Sequence, residues 1–299
     1  MNKLITGITL VSLLVFGNAG FCKEAEKIHL GTMPTYSAAI YAVGIEKAFF
    51  RKAGVDVDLK VFRSARDRDS AATAGQLDGF MTDIMGAINL NVKGFPFIIT
   101  SREYDDFGVM AGPHFDTSSN KTHTIGISQN TVIEYIVDTF MDQKLKKVNI
   151  LAVPDRMGAL LGGKLDYGVF PQPFMNIIMG NGGKPMMKTA EKGFHPVVLV
   201  FNKQFIKKHK TAVNAFYAGY QNAVSYMQST DFSAYKSVLV THGLATEKTV
   251  SRYRIPVHQY GLNPLSEENF NNVSRWMLRK KLLKQNVDIN RVSSSEFMK

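Results

Sequence analysis

Short apolar and alternating runs recur along the chain, and helical patterns separate them. Val55–Phe62 alternates apolar and polar residues, which predicts a strand. Apolar runs at Ile28–Met33, Leu77–Thr82 and Phe97–Ser101 predict further strands. Strands that alternate with helices at this spacing are typical of parallel βαβ units, so the pattern predicts an α/β fold.

One phrase of small residues followed by leucine and aspartate occurs twice. Ala74–Phe80 reads AGQLDGF, and Gly162–Phe170 reads GGKLDYGVF. Each copy ends a helical pattern and opens a short apolar run, and its aspartate is placed to hold the turn into the next strand. A strand-like run precedes each copy, at Val55–Phe62 and at Val148–Val153. Two similar blocks predict two similar lobes with a cleft between them.

The alternation pauses at a polar segment and then restarts. Pro113–His123 predicts the passage between the lobes, and Thr124–Ser128 opens the second series. Val197–Phe201 is apolar enough to be a return strand at the end of that series. From Lys203 onward the pattern is mostly helical, so we predict a helical C-terminal part.

The N-terminus predicts export. A positively charged start, an almost uninterrupted apolar run at Leu4–Phe16 and small residues after it predict a secretory signal peptide over residues 1–22. Cleavage after Ala19 and cleavage after Cys22 both fit. Acylation of Cys22 would make a lipid-anchored protein, although Phe21 is bulky for such processing. We expect a periplasmic or extracytoplasmic protein, because no later apolar run is long enough to span a membrane.

Composition narrows the classes of partner and of chemistry. The 299 residues carry a formal charge of +11, which favours an anionic partner. The densest basic runs, Lys207–Lys210 and Arg279–Lys284, lie on amphipathic helical patterns, so solvated helix faces explain them and no nucleic-acid partner is predicted. The seven histidines are dispersed and the single cysteine lies in the signal region. We therefore predict no metal site, no cofactor and no catalytic residues.

Polar residues that follow the predicted strands are the candidate ligand contacts in the first lobe. Ligands of open α/β sheets bind outside the carboxyl ends of the strands. Thr35 and Tyr36 follow the first strand, and Tyr36 could stack on a ligand or pack at the rim. Thr82 and Asp83 follow a later strand, and Asp83 could bind a ligand amine or cap the next helix. Arg66 is a candidate anion clamp, with simple exposure as the alternative.

The second lobe offers equivalent positions. Ser128 and Gln129 lead from a strand to Thr131, which begins a capping box and an amphipathic helix. A helix N-terminus provides free amides and a positive dipole end, which suits an anionic or dipolar group. Phe170 and Gln172 end a later strand, and we predict an aromatic wall and an amide contact there.

Several of these motifs together resemble a known family. Ile45–Val57 reads IEKAFFRKAGVDV and resembles the E-K-G-F-F-K-K-x-G-L-D-V signature of periplasmic solute-binding proteins of ABC importers, in the branch that binds nitrate, alkanesulfonates, taurine and thiamine pyrimidines. The paired G-x-L-D motifs, Ile125–Ser128 and the Phe-Pro-x-Pro strand end at Phe170–Pro173 resemble the same family. Ala48 stands where the signature has glycine, and Asp83 stands where a small residue is common.

The resemblance implies an α/β, two-lobed type II periplasmic binding protein fold, with a mostly parallel sheet flanked by helices in each lobe. It implies a first lobe built from residues 26–111 and 203–299 and a second lobe built from residues 112–202. It also implies a monomer that is not an enzyme. Such a protein captures a small solute by hinge closure and delivers it to a membrane permease with its cytoplasmic ATPase.

The sequence leaves the solute open. The net charge, Arg66 and the second-lobe helix N-terminus favour a sulfonate or another organic anion, whereas Asp83, Asp155 and Tyr36 fit a thiamine-related pyrimidine or an amine. Pyrimidine synthases share the resemblance, but they carry a cysteine-rich motif and a lysine for pyridoxal phosphate. A sensor module that presents its closed form to a receptor is a further alternative.

Overall fold

The computed structural model describes residues 25–116, 122–142 and 144–298. The predicted signal peptide and Cys22 lie outside the described residues. The strands are β1 (Glu26–Thr32), β2 (Val55–Val61), β3 (Gly79–Asp83), β4 (Phe97–Arg102), β5 (Phe107–Ala111), β6 (Thr124–Ile127), β7 (Lys146–Asn149), β8 (Tyr167–Pro171), β9 (Lys184–Lys188) and β10 (Val197–Asn202).

Helices separate most of these strands and make up most of the C-terminal part. They are α1 (Tyr36–Glu46), α2 (Phe49–Ala53), α3 (Ala65–Thr73), α4 (Ile84–Val92), α5 (Val132–Phe140), α6 (Val153–Leu161), α7 (Phe174–Met179), α8 (Lys203–Lys208), α9 (Lys210–Ser229), α10 (Lys236–Thr241), α11 (Glu247–Val250), α12 (Glu267–Arg279) and α13 (Ile289–Val292). None of the described helices is long and apolar enough to cross a membrane.

The strands form two sheets, and the predicted α/β fold is confirmed. The first sheet has the order β2-β1-β3-β10-β4, and the second has the order β7-β6-β8-β5-β9. In each sheet the first three strands are parallel, and the fourth, β10 or β5, runs antiparallel to both of its neighbours. We call each sheet with the helices that cover it the first and the second lobe.

The two reversed strands correct the predicted lobe boundaries. Residues 107–111 were assigned to the first lobe, but β5 pairs with β8 and β9 of the second sheet. Residues 197–202 were assigned to the second lobe, but β10 pairs with β3 and β4 of the first sheet. Both strands are almost wholly buried and apolar, so their composition fits either sheet. Only the strand pairing shows to which sheet each strand belongs. The chain therefore crosses between the lobes at residues 103–106 and 189–196.

The helix predicted after the first strand is broken near its middle. It ends as α1 at Glu46 and resumes as α2 at Phe49, and Ala48 between them has a left-handed backbone with φ of 56°. This is the position where the family signature has glycine. Left-handed backbone is the conformation for which glycine is normally used, so the break explains the signature.

The lobes contact each other along one side of the molecule. Trp276 of α12 packs edge-on against Tyr135 of α5, with ring centroids 5.7 Å apart, and its Nε1 donates to Oδ2 of Asp138 over 3.2 Å. Lys280 Nζ lies 2.9 Å from Oε1 of Glu134 on α5. Burial alone would raise the pKa of Glu134, but hydrogen bonds from the Asn130 N–H and from two lysines outweigh it and lower the pKa to about 2.

Candidate functional site

A cavity lies between the lobes, outside the carboxyl ends of the parallel strands, where the sequence predicted a cleft. It has a volume of about 130 Å³, and we call it the cleft. The first lobe lines it with Met33, Thr35, Arg63, Ser64, Ala65, Arg68, Met81, Thr82, Asp83, Asp105 and Val197. The second lobe lines it with Phe107, Ser128, Thr131, Val132, Ile133, Leu151, Val153, Arg156 and Pro171.

Arg156 places a buried positive charge at the cleft. Its side chain lies on α6, the residue is 1% exposed, and its guanidinium covers the ring of Phe170 at 5.3 Å. Nε donates to the carbonyl of Val169 over 3.0 Å and Nη1 to that of Ile150 over 2.7 Å. Burial lowers the pKa of Arg156 to about 10, so it stays charged at neutral pH.

No carboxylate of the described chain lies within ion-pair distance of this guanidinium, and Nη2 makes no hydrogen bond to a described residue. Buried charges are normally paired, because removing an ion from water without a partner costs several kcal/mol. An anionic ligand in the cleft would supply the missing partner.

Arg68 is the counterpart of Arg156 in the first lobe. Leu77 follows Arg68 by nine residues, as Leu165 follows Arg156, so both arginines belong to the repeated blocks. Arg68 is 3% exposed and covers Phe80 at 5.4 Å. The repeated aspartates are equivalent as well, since each accepts a hydrogen bond of 2.8 Å from a backbone N–H of the neighbouring strand.

The two arginines differ in their partners. Arg68 Nη2 lies 2.7 Å from Oδ1 of Asp69, the next residue, and it donates to Oγ1 of Thr82 over 2.9 Å. The residue after Arg156 is Met157, which brings no charge. The first-lobe guanidinium is therefore neutralised by its own chain, and the second-lobe guanidinium is not.

The candidate clamp residue lies on a different face of its helix from the arginine that lines the cleft. Arg66 is exposed and does not line the cleft, whereas Arg68 does. Successive residues of a helix are 100° apart, so residues 66 and 68 face nearly opposite directions. Arg68 shares a face with the buried Ala71 and Ala72, and this spacing was the signal that could have identified it.

At the first-lobe edge of the cleft, two of the candidate residues are the last two residues of β3. Thr82 and Asp83 line the cleft, as does Thr35, whose Oγ1 lies 3.2 Å from the sulfur of Met81. Asp83 also caps α4, because its Oδ1 accepts from the Gly86 N–H over 2.8 Å. Burial raises the pKa of Asp83.

Tyr36 does not face the cleft. The residue is 2% exposed, and its hydroxyl accepts from Nδ2 of Asn176 over 2.6 Å and from the N–H of Arg254 over 3.1 Å. Asn176 belongs to the second lobe, whereas Tyr36 and Arg254 belong to the first. Tyr36 therefore connects the lobes instead of offering a free ring for stacking.

The N-terminus of α1 is already occupied by a carboxylate of the chain. Asp105, in the first crossing segment, is fully buried, and its Oδ1 accepts from the N–H of Tyr36 over 3.0 Å and from that of Ser37 over 3.3 Å. The hydroxyl of Tyr260 donates to the same oxygen over 3.3 Å. No sequence pattern indicates this role, because Asp105 lies in an irregular segment.

In the second lobe, the loop before α5 keeps two of its predicted contacts. Ser128 and Thr131 line the cleft, and Thr131 caps the helix by accepting from the Ile133 N–H over 3.2 Å. Gln129 is exposed outside the lining, and its N–H donates to Oδ1 of Asn149 over 2.9 Å. Glu134 accepts from the N–H of Asn130, so the predicted capping box is shifted by one residue.

At the end of β8, neither of the two candidate contact residues lines the cleft. Phe170 is fully buried beneath Arg156, and Pro171 lines the cleft in its place. Neighbouring side chains of a strand face opposite sides, so only one of the two can face the cleft. Gln172 lies outside the lining, and its buried Oε1 has no hydrogen-bond partner among the described residues.

Solved structures share this architecture. The ligand-binding component of an ABC-type import system from Staphylococcus aureus, with zinc bound, is 14% identical, with a TM-score of 0.72 over 91% of this chain and 98% of that chain. The periplasmic aliphatic sulphonate binding protein of Escherichia coli is 12% identical, with a TM-score of 0.72 over 89% and 91%. The periplasmic nitrate-binding protein of Synechocystis PCC 6803 is 13% identical, with a TM-score of 0.69 over 92% and 87%.

These similarities show the periplasmic binding protein fold. Among the described residues of this chain, no group of three or more His, Cys, Asp or Glu side chains is arranged to hold a metal ion. A comparison with curated proteins finds no significant match. The family model described as NMT1-like matches residues 22–241, which is more than half of the chain, and the chain therefore belongs to the NMT1-like family.

Proposed function

We propose that this protein is the extracytoplasmic substrate-binding component of an ABC importer and that its solute is a small organic anion such as a sulfonate or carboxylate. The observation that carries the proposal is Arg156, a buried guanidinium that faces the cleft without a carboxylate partner among the described residues. The family and the fold of the similar structures support the general binding role.

The arrangement of the cleft indicates how the anion is held. Arg156 and the N-terminus of α5, with Ser128 and Thr131, form a positive second-lobe surface. The first lobe presents the hydroxyls of Thr35 and Thr82 to the other side of the ligand. No chemistry on the solute is part of this proposal, and no cofactor is required.

Capture by hinge closure follows from the two crossing segments. Oδ1 of Asp106 accepts from Oγ1 of Thr189 over 2.6 Å and from the N–H of Ala190 over 2.9 Å, so the segments are joined to each other. Lobes that rotate about this joint bring both linings onto one ligand. Contacts made only in the closed form shift the equilibrium toward closure.

The remaining parts of the proposal concern location and partners. We place the protein outside the cytoplasm, with residues 1–22 as its leader, and the similar fold of two periplasmic binding proteins supports this location. The closed form would be presented as a monomer to a membrane permease. A receptor in place of the permease would give a sensor with the same cleft.

A second candidate ligand is favoured by one observation. Asp83 brings a carboxylate into the lining, where it can bind the amino group of a thiamine-related pyrimidine. This alternative uses the same fold and the same closure. It predicts that ligand affinity depends on Asp83 and does not depend on Arg156.

The test is a binding screen on residues 23–299 by thermal shift and calorimetry, against sulfonates, nitrate, carboxylates, amino acids and thiamine-related pyrimidines. A ligand at a hundred times its Kd adds about 2.7 kcal/mol of apparent stability. We expect an organic anion to bind. Arg156→Gln should weaken the affinity for this anion by about a hundredfold or more, because a buried charged contact is lost.

Two further variants sharpen the screen. Met157→Asp places a carboxylate beside Arg156, as Asp69 stands beside Arg68. This variant should weaken anion binding although the arginine is still present. Arg66→Gln makes the same change as Arg156→Gln at an exposed site and should leave affinity unchanged. Tight binding of a neutral pyrimidine with no response to any anion, or an anion affinity that Arg156→Gln does not alter, would refute the proposal.

A further inference from the structure

The two lobes differ in the charged groups that they bring to the cleft. The second-lobe lining contains Arg156 and, among the described residues, no carboxylate. The first-lobe lining contains the carboxylates of Asp83 and Asp105 together with two arginines, the exposed Arg63 and the buried Arg68. Behind it, Asp69 neutralises Arg68 across 2.7 Å. The two buried features of the first lobe that could hold an anion, Arg68 and the N-terminus of α1, are therefore both occupied by carboxylates of the chain, and Arg63 is a solvent-exposed cation of this lining.

The carboxylate at α1 is held as an external anion would be. Asp105 comes from the crossing segment and not from the helix, and it accepts from two successive helix N–H groups at 3.0 to 3.3 Å. Amides at a helix N-terminus, together with the helix dipole, attract negative charge. Asp105 fills that position and also lines the cleft, so a second anion approaching the first lobe would meet a negative charge.

A second buried acid lies near Asp105. Glu103 lies behind it, fully buried, and accepts from Oγ of Ser101 over 3.1 Å and from the hydroxyl of Tyr220 over 3.2 Å. Burial, and then the charge of Asp105, raise the pKa of Glu103 to about 7. Burial raises the pKa of Asp105 too, but its backbone N–H bonds favour the charged form. Of the two carboxyls, Glu103 is the one that carries a proton near neutral pH.

Resting on the proposed function, we infer that Asp105, assisted by Asp69, is a specificity-determining residue that restricts the solute to one anionic group, with a far end that is neutral or cationic. The single anionic group binds Arg156 in the second lobe. The far end meets the first lobe, where Asp83 and Asp105 repel a second anion and attract an amine.

The test compares two anions of equal chain length, ethanesulfonate and ethane-1,2-disulfonate, or propionate and succinate if carboxylates bind better. Wild-type protein should bind the dianion at least about tenfold more weakly than the monoanion, which corresponds to about 1.4 kcal/mol. Asp105→Asn keeps the shape and the acceptor oxygen at α1 but removes the charge. It should reduce the ratio of the dianion Kd to the monoanion Kd about tenfold, mainly by strengthening dianion binding.

Two other variants guard against a purely structural effect. Asp69→Asn frees Arg68 without touching α1 and should shift the ratio in the same direction. Asp155→Asn makes the same charge change at an exposed position outside the lining and should leave the ratio unchanged. Melting curves of all three variants report whether each is folded.

The outcomes separate this inference from the proposed function. A wild-type protein that binds no anion, or binds anions independently of Arg156, overturns the proposed function and this inference with it. A wild-type protein that binds monoanion and dianion equally well through Arg156 overturns the inference alone. A folded Asp105→Asn variant whose ratio equals that of the wild type does the same.

Discussion

Ala48 holds a backbone conformation that costs an alanine about 1 to 2 kcal/mol and costs a glycine almost nothing. Its φ of 56° joins α1 to α2 at the position where the family signature has glycine. We predict that Ala48→Gly raises the free energy of unfolding by up to about 1 kcal/mol, because the added entropy of the unfolded chain offsets part of the relieved strain. Urea unfolding measures the change.

Gly54 is the matched control for this prediction. It ends α2 with φ of 101°, and a Cβ added there would contact nothing within 4 Å, so space is not at issue. Gly54→Ala should destabilise the protein by about 1 kcal/mol, since it introduces strain of the kind that Ala48→Gly removes. If both substitutions destabilise, then Ala48 is held by packing and the backbone argument is wrong.

Between elements, β6 approaches α6 closely beside Arg156. A Cβ on Gly126 would lie 2.6 Å from Cδ1 of Leu165 and 2.9 Å from Cγ of Arg156. We predict that Gly126→Ala displaces the Arg156 side chain and weakens anion binding about tenfold or more, in addition to destabilising the protein. Calorimetric titration with the bound anion measures the loss.

The control lies on α6 itself. A Cβ on Gly158 would contact nothing within 4 Å, and alanine favours a helix over glycine by about 1 kcal/mol. Gly158→Ala should therefore stabilise the protein slightly and leave anion affinity unchanged. If Gly126→Ala destabilises the fold as expected but preserves affinity, then β6 does not position Arg156.

At this scale the sequence predicted where elements begin and end better than it predicted which sheet they join. Strand ends are visible as polar residues after apolar runs, and three of the residues at those ends, Thr35, Thr82 and Ser128, line the cleft. The partner of an apolar strand is not visible, and β5 and β10 were therefore assigned to the wrong sheets. Asp105 could not be found, because its role depends on a tertiary contact with α1 that has no sequence pattern.

Arg68 and Arg156 are a different case, since the sequence did contain the signal. Each lies nine residues before the leucine of the repeated phrase, just outside the segment in which the repeat was recognised. An arginine that occurs at the same place in both blocks, on the face of small or apolar residues, indicates a buried and equivalent role. The difference between Asp69 and Met157 then predicts which of the two is free for a ligand.

For the whole molecule, the contact through Tyr36 controls how easily the lobes separate. Its hydroxyl joins Asn176 of the second lobe to the backbone of Arg254 in the first. We predict that Tyr36→Phe shifts the ligand-free protein toward a more open form and weakens ligand binding about fivefold, the effect of one hydrogen bond of about 1 kcal/mol. Small-angle scattering with and without ligand measures the opening.

Tyr253 provides the control, because its hydroxyl donates to the carbonyl of Leu244 within the first lobe. Tyr253→Phe should lower stability without changing the scattering of the ligand-free protein. The single tryptophan, Trp276, lies at the contact between the lobes and gives an independent fluorescence signal of their movement. Scattering curves that coincide for wild type and Tyr36→Phe would contradict the prediction.

The position of β10 has a consequence for the order in which the molecule can be built. β10 lies between β3 and β4, so the first sheet lacks an inner strand until residue 202 has been synthesised. The second sheet is complete at residue 188, some residues earlier. A chain emerging from a ribosome therefore has all strands of its second sheet before those of its first, and β4 lacks the strand that joins it to β3 until about two thirds of the protein has been made.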